Sequence, residues 1–297
     1  KCLFLPFATS LSSLVFAGSK PSAPLFKYAR KNELFIHIYL SINNICSKNE
    51  LVGIVVIKKL LTMKVVRTKV KKSKYSIGVD FGTESGRVVI VDIHSGETQG
   101  THIVSYRHNV ITEYLPMHSE KLPKGSALQH PQDYLDVLEE GIPSAIKKAQ
   151  ITPDQIIGLG IDFTSSTILP TDYNLTPLCF YQELAHSPHA WAKLWKHHNT
   201  KSQTEKIYRL ALRRNEKWLR RLGYNVSEEW ALPKIVEVFE KDREIYNNTA
   251  YFIEASDWIV SILTSTISRS NCSLGFKAFW DEGEGFPQDF FFELDEE

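Results

Sequence analysis

The stretch Tyr75-Ser-Ile-Gly-Val-Asp-Phe-Gly-Thr-Glu-Ser-Gly-Arg87 combines an apolar strand, a carboxylate at the strand end, Asp80, and a turn of small residues. The chain then resumes as an apolar segment, Arg87-Val-Val-Ile-Val-Asp-Ile93, so the turn is the tip of a predicted hairpin. A carboxylate is a ligand for hard cations, and the backbone N–H groups of a glycine-containing turn can approach a phosphate closely. The stretch therefore predicts a site for Mg²⁺ and phosphate.

The spacing of the glycines excludes two familiar phosphate loops. A Walker loop and a dinucleotide-binding loop both open a helix, whereas the glycines here are Gly78, Gly82 and Gly86, and a strand follows them. An ordinary hairpin with a solvent-facing Asp80 explains the stretch by itself equally well.

The composition is that of a globular protein with room for one large domain or two ordinary ones, since 43% of the 297 residues are hydrophobic and 23% are charged. A net charge of +1 argues against a nucleic-acid partner held by a general basic field. The four cysteines show none of the paired spacings of a zinc site or a disulfide framework, so we expect reduced thiols and a cytoplasmic location. Apolar runs such as Leu51 to Leu61 are too short to span a bilayer, and no membrane partner is expected.

Residues 1–62 differ from the rest of the chain. They contain two acidic residues, Glu33 and Glu50, and no sustained helical or alternating apolar period. The first methionine is Met63, and a basic segment leads from it into the first strand. We therefore expect translation to start at or near Met63, which makes residues 1–62 an extension outside the fold.

Strands and one helix are predicted in the segment that follows. Residues 75–80, 87–93 and 98–106 have the pattern of a three-stranded antiparallel meander. Pro131 is well placed in the first turn of a helix that carries an apolar stripe, and Pro143 is expected to kink that helix.

The next segment adds further strands and then changes character. The continuous apolar run from Ile156 to Asp162 predicts a buried strand, and residues 168–170 and 178–180 predict a strand pair around a turn. From about Ser187 the chain reads as mostly helical, starting with a helix over residues 188–198. These patterns together predict an α/β fold.

Two further places carry candidate binding groups. Asp162 ends the predicted buried strand and precedes Phe163-Thr-Ser-Ser-Thr167, a hydroxyl-rich run that could hydrogen-bond a polyol, although turn-forming residues that cap a strand are the favoured interpretation. Lys277 is a lone cation among aromatic residues, and on composition alone it reads as a surface lysine with a partly covered stem.

The histidines and tryptophans of the second part receive structural interpretations. No carboxylate or cysteine is suitably spaced for a metal site with His189, His197 and His198, so we interpret these as helix-surface residues. The tryptophans are interpreted as core residues. They are Trp191, Trp195 and Trp230.

Five segments together resemble the N-terminal domain of the FGGY carbohydrate kinase family. They are Gly78-Val-Asp-Phe-Gly-Thr-Glu-Ser-Gly-Arg87, Ala127-Leu-Gln-His-Pro-Gln-Asp-Tyr134, Gly160-Ile-Asp-Phe-Thr164, Pro188-His-Ala-Trp-Ala-Lys-Leu-Trp-Lys-His-His198 and Glu254-Ala-Ser-Asp-Trp-Ile259. The Asp-x-Gly-Thr turn alone marks only the wider actin-like superfamily, whereas the Pro188 segment is similar to members that act on L-ribulose. The resemblance makes residues 73–297 the N-terminal domain of such a kinase, truncated before its C-terminal domain.

The resemblance implies ATP-dependent phosphorylation of L-ribulose at its 5-hydroxyl, giving L-ribulose 5-phosphate in L-arabinose breakdown. It implies an actin-like, ribonuclease-H-like mixed five-stranded sheet, with two domains that close over a cleft. It leaves open a homodimer of the full-length enzyme. Its implied cofactors are ATP and Mg²⁺, and its small-molecule partner is the sugar. Asp80 would hold Mg²⁺ through water, and Ser165 and Lys277 would line the sugar site. The residues that would face the ATP phosphates are Asp80, Gly82, Thr83, Glu84 and Ser85.

Departures from the family pattern weaken the prediction of the substrate more than the prediction of the family. The family has Thr-Ala-Cys-Thr where this chain has Thr164-Ser-Ser-Thr167, and Thr-Ala-Gly-Tyr-Lys-Ala where it has Ser273-Leu-Gly-Phe-Lys-Ala278. The catalytic-base aspartate and the adenosine-binding glycines are expected beyond Glu297, so the chain alone is expected to be inactive. A kinase for xylulose or another polyol, and a non-catalytic actin-like nucleotide-binding module, are the alternatives.

Overall fold

The Asp80 stretch forms an inner strand of a sheet. Its buried apolar residues alternate with less buried ones, as in a strand with one buried face. β1 (Tyr75–Phe81) and β2 (Ser85–Asp92) are joined by the predicted tight turn, and β3 (Thr98–Ser105) completes the antiparallel meander. The computed structural model describes residues 73–296. Every second residue of β1 is buried on one face of the sheet, as the period of a pleated strand requires. These residues are Tyr75, Ile77, Val79 and Phe81.

A fourth strand makes this sheet mixed. β5 (Ile156–Phe163) pairs in parallel with β1, so the strand order is β3-β2-β1-β5. The register places Asp80 opposite Arg87 on one neighbour and opposite Asp162 on the other. The α/β class and the mixed sheet are therefore confirmed, and the ends of β1 and β5 lie side by side.

The number of strands in this sheet was predicted wrongly. Within residues 73–296 it has four strands rather than five, because β6 (Ile168–Thr171) joins a second sheet and residues Leu178–Phe180 form a short 3₁₀ helix. The chain turns after β5 through Ser166, which has a left-handed φ of 63°. This turn directs β6 to pair with a strand about eighty residues further on, a long-range pairing that local patterns do not encode.

β5 is also more exposed than its apolar run predicts. Ile157 and Leu159 are 55% and 42% exposed. β5 pairs with β1 along one edge, and its other edge meets no strand within the described residues. A continuous apolar run is typical of a strand covered on both faces, so periodicity alone could not show that this strand lies at an edge.

One interrupted helix covers the buried face of the first sheet. α1 (Pro131–Asp136) begins with the predicted proline and is capped by His130, whose Nδ1 accepts a hydrogen bond from the Gln132 N–H. A π-helical turn over Val137–Gly141 separates it from α2 (Ile142–Ala149). Pro143, the second residue of α2, lacks an N–H to donate to the preceding turn, and the interruption lies where the kink was expected.

Besides β6, the second sheet contains β4 (Leu128–Gln129), β7 (Ala192–Lys193) and β8 (Tyr251–Glu254). Among the described residues its four strands are antiparallel and lie in the order β4-β7-β6-β8. The helix predicted over residues 188–198 is therefore wrong, since only a short 3₁₀ turn over Pro188–Ala190 forms before β7. Tertiary pairing of β7 with β4 and β6 overrides the local helical pattern.

The rest of the described chain is helical, as predicted. No helix in residues 73–296 is both long and apolar enough to cross a membrane. The helices pack around a core that includes Trp191, Trp218 and Trp230. Their bounds are α3 (Lys201–Arg213), α4 (Lys217–Arg221), α5 (Ala231–Lys241), α6 (Arg243–Asn248), α7 (Ala255–Thr264), α8 (Asn271–Lys277) and α9 (Gln288–Glu296).

The close approach of the interrupted helix to the hairpin generates a stability prediction. A Cβ atom at Gly86 would lie 2.3 Å from Cγ2 of Val137, and valine is stiff about χ1. We expect Gly86→Ala to lower the free energy of unfolding by about 1–3 kcal/mol, measured by urea denaturation.

Gly158→Ala is the matched control, because a Cβ at Gly158 would meet no atom within 4 Å. It should change the free energy of unfolding by less than about 0.5 kcal/mol. Equal effects of the two substitutions would contradict the packing of Val137 against the hairpin.

Candidate active site

The turn between β1 and β2 is tight and its tip is open. The Gly82 N–H donates to the carbonyl of Ser85 over 2.9 Å, and the carbonyl of Glu84 accepts from the Tyr106 N–H over 2.9 Å. Within residues 73–296, the N–H groups of Thr83 and Glu84 have no hydrogen-bond partner. The turn is therefore anchored at both ends and presents two free backbone donors, which is the arrangement that binds phosphate oxygens.

Two side chains from outside the first sheet hold Thr83. Gln129 donates through Nε2 to the Thr83 carbonyl over 2.7 Å, and the buried Tyr134 hydroxyl donates to Gln129 Oε1 over 2.6 Å. Trp195 donates through Nε1 to the Thr83 hydroxyl over 3.2 Å. The second sheet and the segment after it therefore position the turn of the first sheet.

Sequence reasoning missed both of these contacts. Gln129 lies in a segment that contributed to the family resemblance, but its residue type indicated no role. Trp195 was interpreted as core, yet it is 38% exposed. Trp195 is part of the candidate site because its indole N–H binds the turn. Its position within a segment predicted to be helical gave no indication of this contact.

Asp80 is an accessible carboxylate at the end of β1. Its Oδ2 lies 3.2 Å from Nη1 of Arg87, and both side chains are largely exposed, so this ion pair contributes less than about 1 kcal/mol. Asp162 stands beside it in the parallel register. Two adjacent carboxylates on one sheet end form a negatively charged position that suits a hard cation.

The donor set next to the turn fits Mg²⁺ bound mainly through water and phosphate. Mg²⁺ in phosphoryl-transfer sites uses one or two carboxylates, retains several waters and binds substrate phosphates. Asp80 and Asp162 supply such carboxylates. In the part of the chain that the structure describes, no group of three or more His, Cys, Asp or Glu side chains could hold a metal by itself, so a metal cage made of protein alone does not fit.

Ser165 and Lys277 lie near two buried charged residues, Lys234 and Glu254. Ser165 is exposed in the loop after β5, and Lys277 is the last residue of α8. Lys234 is fully buried and donates to the carbonyl of Ser166 over 2.6 Å, while Glu254 is 5% exposed. The charge of Lys277 acts on both Lys234 and Glu254. Ser165 and Lys277 are thus each linked to Lys234, Ser165 through its neighbour in the chain and Lys277 through its charge.

A second buried charge cluster supports the segment that carries Trp195. Oε2 of Glu237 lies 3.0 Å from Nζ of Lys193 and 3.0 Å from Nε2 of His197. Nδ1 of His197 accepts from the Ala127 N–H over 3.3 Å. The prediction that His197 is a helix-surface residue is therefore wrong. His197 is buried and links three segments.

The electrostatics of this cluster follow from its burial. Burial, with the nearby charge of Lys193, lowers the pKa of His197 to about 4. Burial would raise the pKa of Glu237, but the charge of Lys193 and the hydrogen bond from His197 outweigh it and hold that pKa well below its usual range. At neutral pH the cluster therefore contains a charged carboxylate and a neutral imidazole.

Comparison with known proteins identifies the family. Residues 75–273 match the N-terminal domain of the FGGY family of carbohydrate kinases. The chain belongs to this family. It is 48% identical over 221 residues to ribulokinase from Staphylococcus aureus strain Newman, a match that covers 74% of this chain and 40% of that protein, and equally identical to ribulokinase from strain COL.

Two solved kinase structures share the fold. The gluconate kinase of Lactobacillus acidophilus superposes with a TM-score of 0.56 at 17% identity, covering 75% of this chain and 40% of that chain. The xylulose kinase of Rhodospirillum rubrum gives a TM-score of 0.55 at 15% identity, covering 75% and 41%. At these identities the likeness concerns the fold.

These findings confirm the predicted family and the likeness to ribulokinase. The chain spans less than half the length of the curated relatives that it matches. The roles of Asp80, Ser165 and Lys277 stay predictions. The predicted extension, residues 1–62, lies outside the described residues.

The buried imidazole of His197 makes stability depend on pH. Between pH 6.5 and 4 the unfolded chain binds a proton at this histidine and the folded chain does not, so the free energy of unfolding falls as the pH is lowered. We expect His197→Gln, which is neutral throughout, to reduce this fall by up to about 3 kcal/mol, measured by urea denaturation across the range.

His198→Gln serves as the control, since the side chain of His198 is 52% exposed. Its pH dependence should follow that of the wild-type chain. If His197→Gln and the wild type lost the same stability on acidification, the neutral state of the buried imidazole would be ruled out.

Proposed function

We propose that this chain forms the phosphate- and sugar-binding part of an ATP-dependent kinase that converts L-ribulose to L-ribulose 5-phosphate. The observation that carries the proposal is the Gly82–Ser85 turn, whose free N–H groups lie beside Asp80 and are positioned by Gln129 and Trp195. Membership of a carbohydrate kinase family supplies the reaction class.

The proposed roles follow from what phosphoryl transfer demands. The reaction needs alignment of the two reactants and neutralisation of phosphate charge more than covalent chemistry by the protein. The N–H groups of Thr83 and Glu84 bind phosphate oxygens, and Asp80 orients the water shell of Mg²⁺, which neutralises phosphate charge when bound. Glu84 and Ser85 complete the rim of the turn.

On the sugar side, Ser165 and Lys277 bind hydroxyl or carbonyl oxygens of the open-chain sugar. A hydroxyl both donates and accepts, and an ammonium donates up to three hydrogen bonds. We assign the carboxylate that accepts the proton of the attacking hydroxyl to the second domain implied by the family resemblance. The chain itself therefore binds and orients, and the proton transfer is completed elsewhere in the full enzyme.

We propose L-ribulose rather than another ketopentose as the substrate because of the sequence similarity of the chain to ribulokinases. The chain is 48% identical to ribulokinases, whereas its likeness to the xylulose kinase structure is at 15% identity. Because Ser165 lies in a segment that departs from the family pattern, a direct comparison of L-ribulose with D-xylulose is the appropriate test.

Sugar binding to the chain tests the role of Lys277. We expect isothermal titration calorimetry to show binding of L-ribulose that is stronger than binding of D-xylulose. Lys277→Met should weaken L-ribulose binding at least about tenfold, since a hydrogen bond from a charged donor contributes about 1.5–3 kcal/mol.

Lys201→Met, an exposed substitution in α3, should leave the affinity unchanged. Tighter binding of D-xylulose would move the proposal to that substrate. Absence of binding by either sugar would refute the sugar site.

The division of labour between domains gives a further prediction. Because the proton-accepting carboxylate and the adenosine-binding glycines are assigned to the second domain, the 297-residue chain assayed alone should release no ADP from ATP and L-ribulose. A coupled assay for ADP measures this. Ribulose-dependent ADP release above the no-sugar background would show that the chain contains a complete active site.

A further inference from the structure

A fully buried lysine contacts both sides of the proposed site. Nζ of Lys234, in α5, donates to the carbonyl of Ser166 over 2.6 Å and to the carbonyl of Leu194 over 2.8 Å. The carbonyl of Lys193 lies 3.4 Å from the same nitrogen. An ammonium group has three N–H donors, and three carbonyl acceptors surround this one.

The carbonyls belong to the two segments that carry the proposed ligand contacts. Ser166 directly follows Ser165 in the loop after β5, on the sugar side. Leu194 directly precedes Trp195, whose indole donates to the hydroxyl of Thr83 on the phosphate side. One ammonium group therefore binds the backbone of both segments at once.

The Ser165 loop needs such support because its own conformation is unfavourable. Ser166 is a non-glycine residue with a left-handed φ of 63°. Its buried hydroxyl has no hydrogen-bond partner among residues 73–296. Strained residues persist where the surrounding structure over-determines them, and the hydrogen bond from Lys234 to the Ser166 carbonyl is a strong constraint of that kind.

The start of α7 supports the same loop. The N–H of Ala255, which follows Glu254 in the chain, donates to the Thr167 carbonyl over 2.8 Å. Burial lowers the pKa of Lys234 to about 7, against the attraction of Glu254. Burial raises the pKa of Glu254 to about 7 in the same way, and each of the two groups favours the charged form of the other.

We propose that Lys234 is a positioning residue that couples the Ser165 loop to the Trp195–Thr83 contact and so sets the spacing between the sugar side and the phosphate side of the site. The names of the two sides rest on the proposed function, whereas the coupling itself is a property of the chain without ligand. Displacement of a positioned group by about 1 Å can cost a hundredfold in rate, which is why the spacing matters.

Hydrogen exchange of the ligand-free chain tests the coupling. Lys234→Met keeps a long apolar side chain but cannot donate to carbonyls. We expect it to speed amide exchange at least about tenfold in peptides spanning 163–168 and 193–198, with no change in peptides from β3.

Ile235→Ala is the matched control, because Ile235 neighbours Lys234 in α5 and is equally buried but contacts neither loop through a hydrogen bond. It should lower stability without this paired, local effect. Faster exchange in one of the two segments alone, or an equal increase throughout the chain, would overturn the coupling.

If Lys234→Met does not fold, hydrogen exchange of the wild-type chain still tests the coupling. Its two segments should then exchange with one shared opening free energy and one shared dependence on denaturant, as a single cooperative unit does. Separate values for the two segments would refute the proposal.

L-ribulose titration separates this inference from the proposed function. We expect Lys234→Met to weaken L-ribulose binding at least tenfold and Ile235→Ala to leave it unchanged. If the wild-type chain binds no L-ribulose, the proposed function fails, and the exchange experiment alone tests Lys234. If the wild type binds and Lys234→Met binds equally well, the positioning role is refuted.

Discussion

The parallel ladder between β1 and β5 places Asp80 beside Asp162 and carries the N–H of Thr164 to the carbonyl of Phe81 over 3.0 Å. Two carboxylates and the hydroxyl-rich loop thereby reach the same end of one sheet. The remaining structure holds that end in place. Without this pairing the tight turn after β1 would be an ordinary hairpin tip, with no hydroxyl-rich loop next to it.

An aromatic cluster connects the core to the turn after β1. Phe81 stacks on Phe163 with ring centroids 4.8 Å apart, and Tyr134 meets Phe163 edge to face at 4.9 Å. The hydroxyl of Tyr134 donates to Gln129, and Gln129 donates to Thr83. Apolar packing and two hydrogen bonds thus form one continuous path from the buried face of the first sheet to the Thr83 carbonyl.

The second part of the structure supports the site with buried charges, which are costly to desolvate and persist when they are well paired. Glu237 is contacted by Lys193 and His197, and Lys234 is contacted by backbone carbonyls. Replacing such groups by apolar ones can preserve stability. Their value here lies in specifying where backbone segments meet, because a buried ammonium accepts only arrangements that satisfy all its donors.

The local features of this protein could be predicted from its sequence. Alternation in β1 and β2, the turn at Gly82, the proline-led helix and the kink before Pro143 follow from residue-level preferences, and the family resemblance follows from short segments. Tertiary structure alone decided that β6 pairs with β8, that β5 lies at an edge, and that residues Ala192–Lys193 form a strand rather than a helix.

The contacts of Gln129, Trp195 and Lys234 likewise depend on the tertiary structure. Each joins residues that are 40 to 112 positions apart in the chain. Side-chain periodicity reports which face of an element is buried. It carries no information on which distant backbone group a buried donor will reach, and the site is built from such long-range hydrogen bonds.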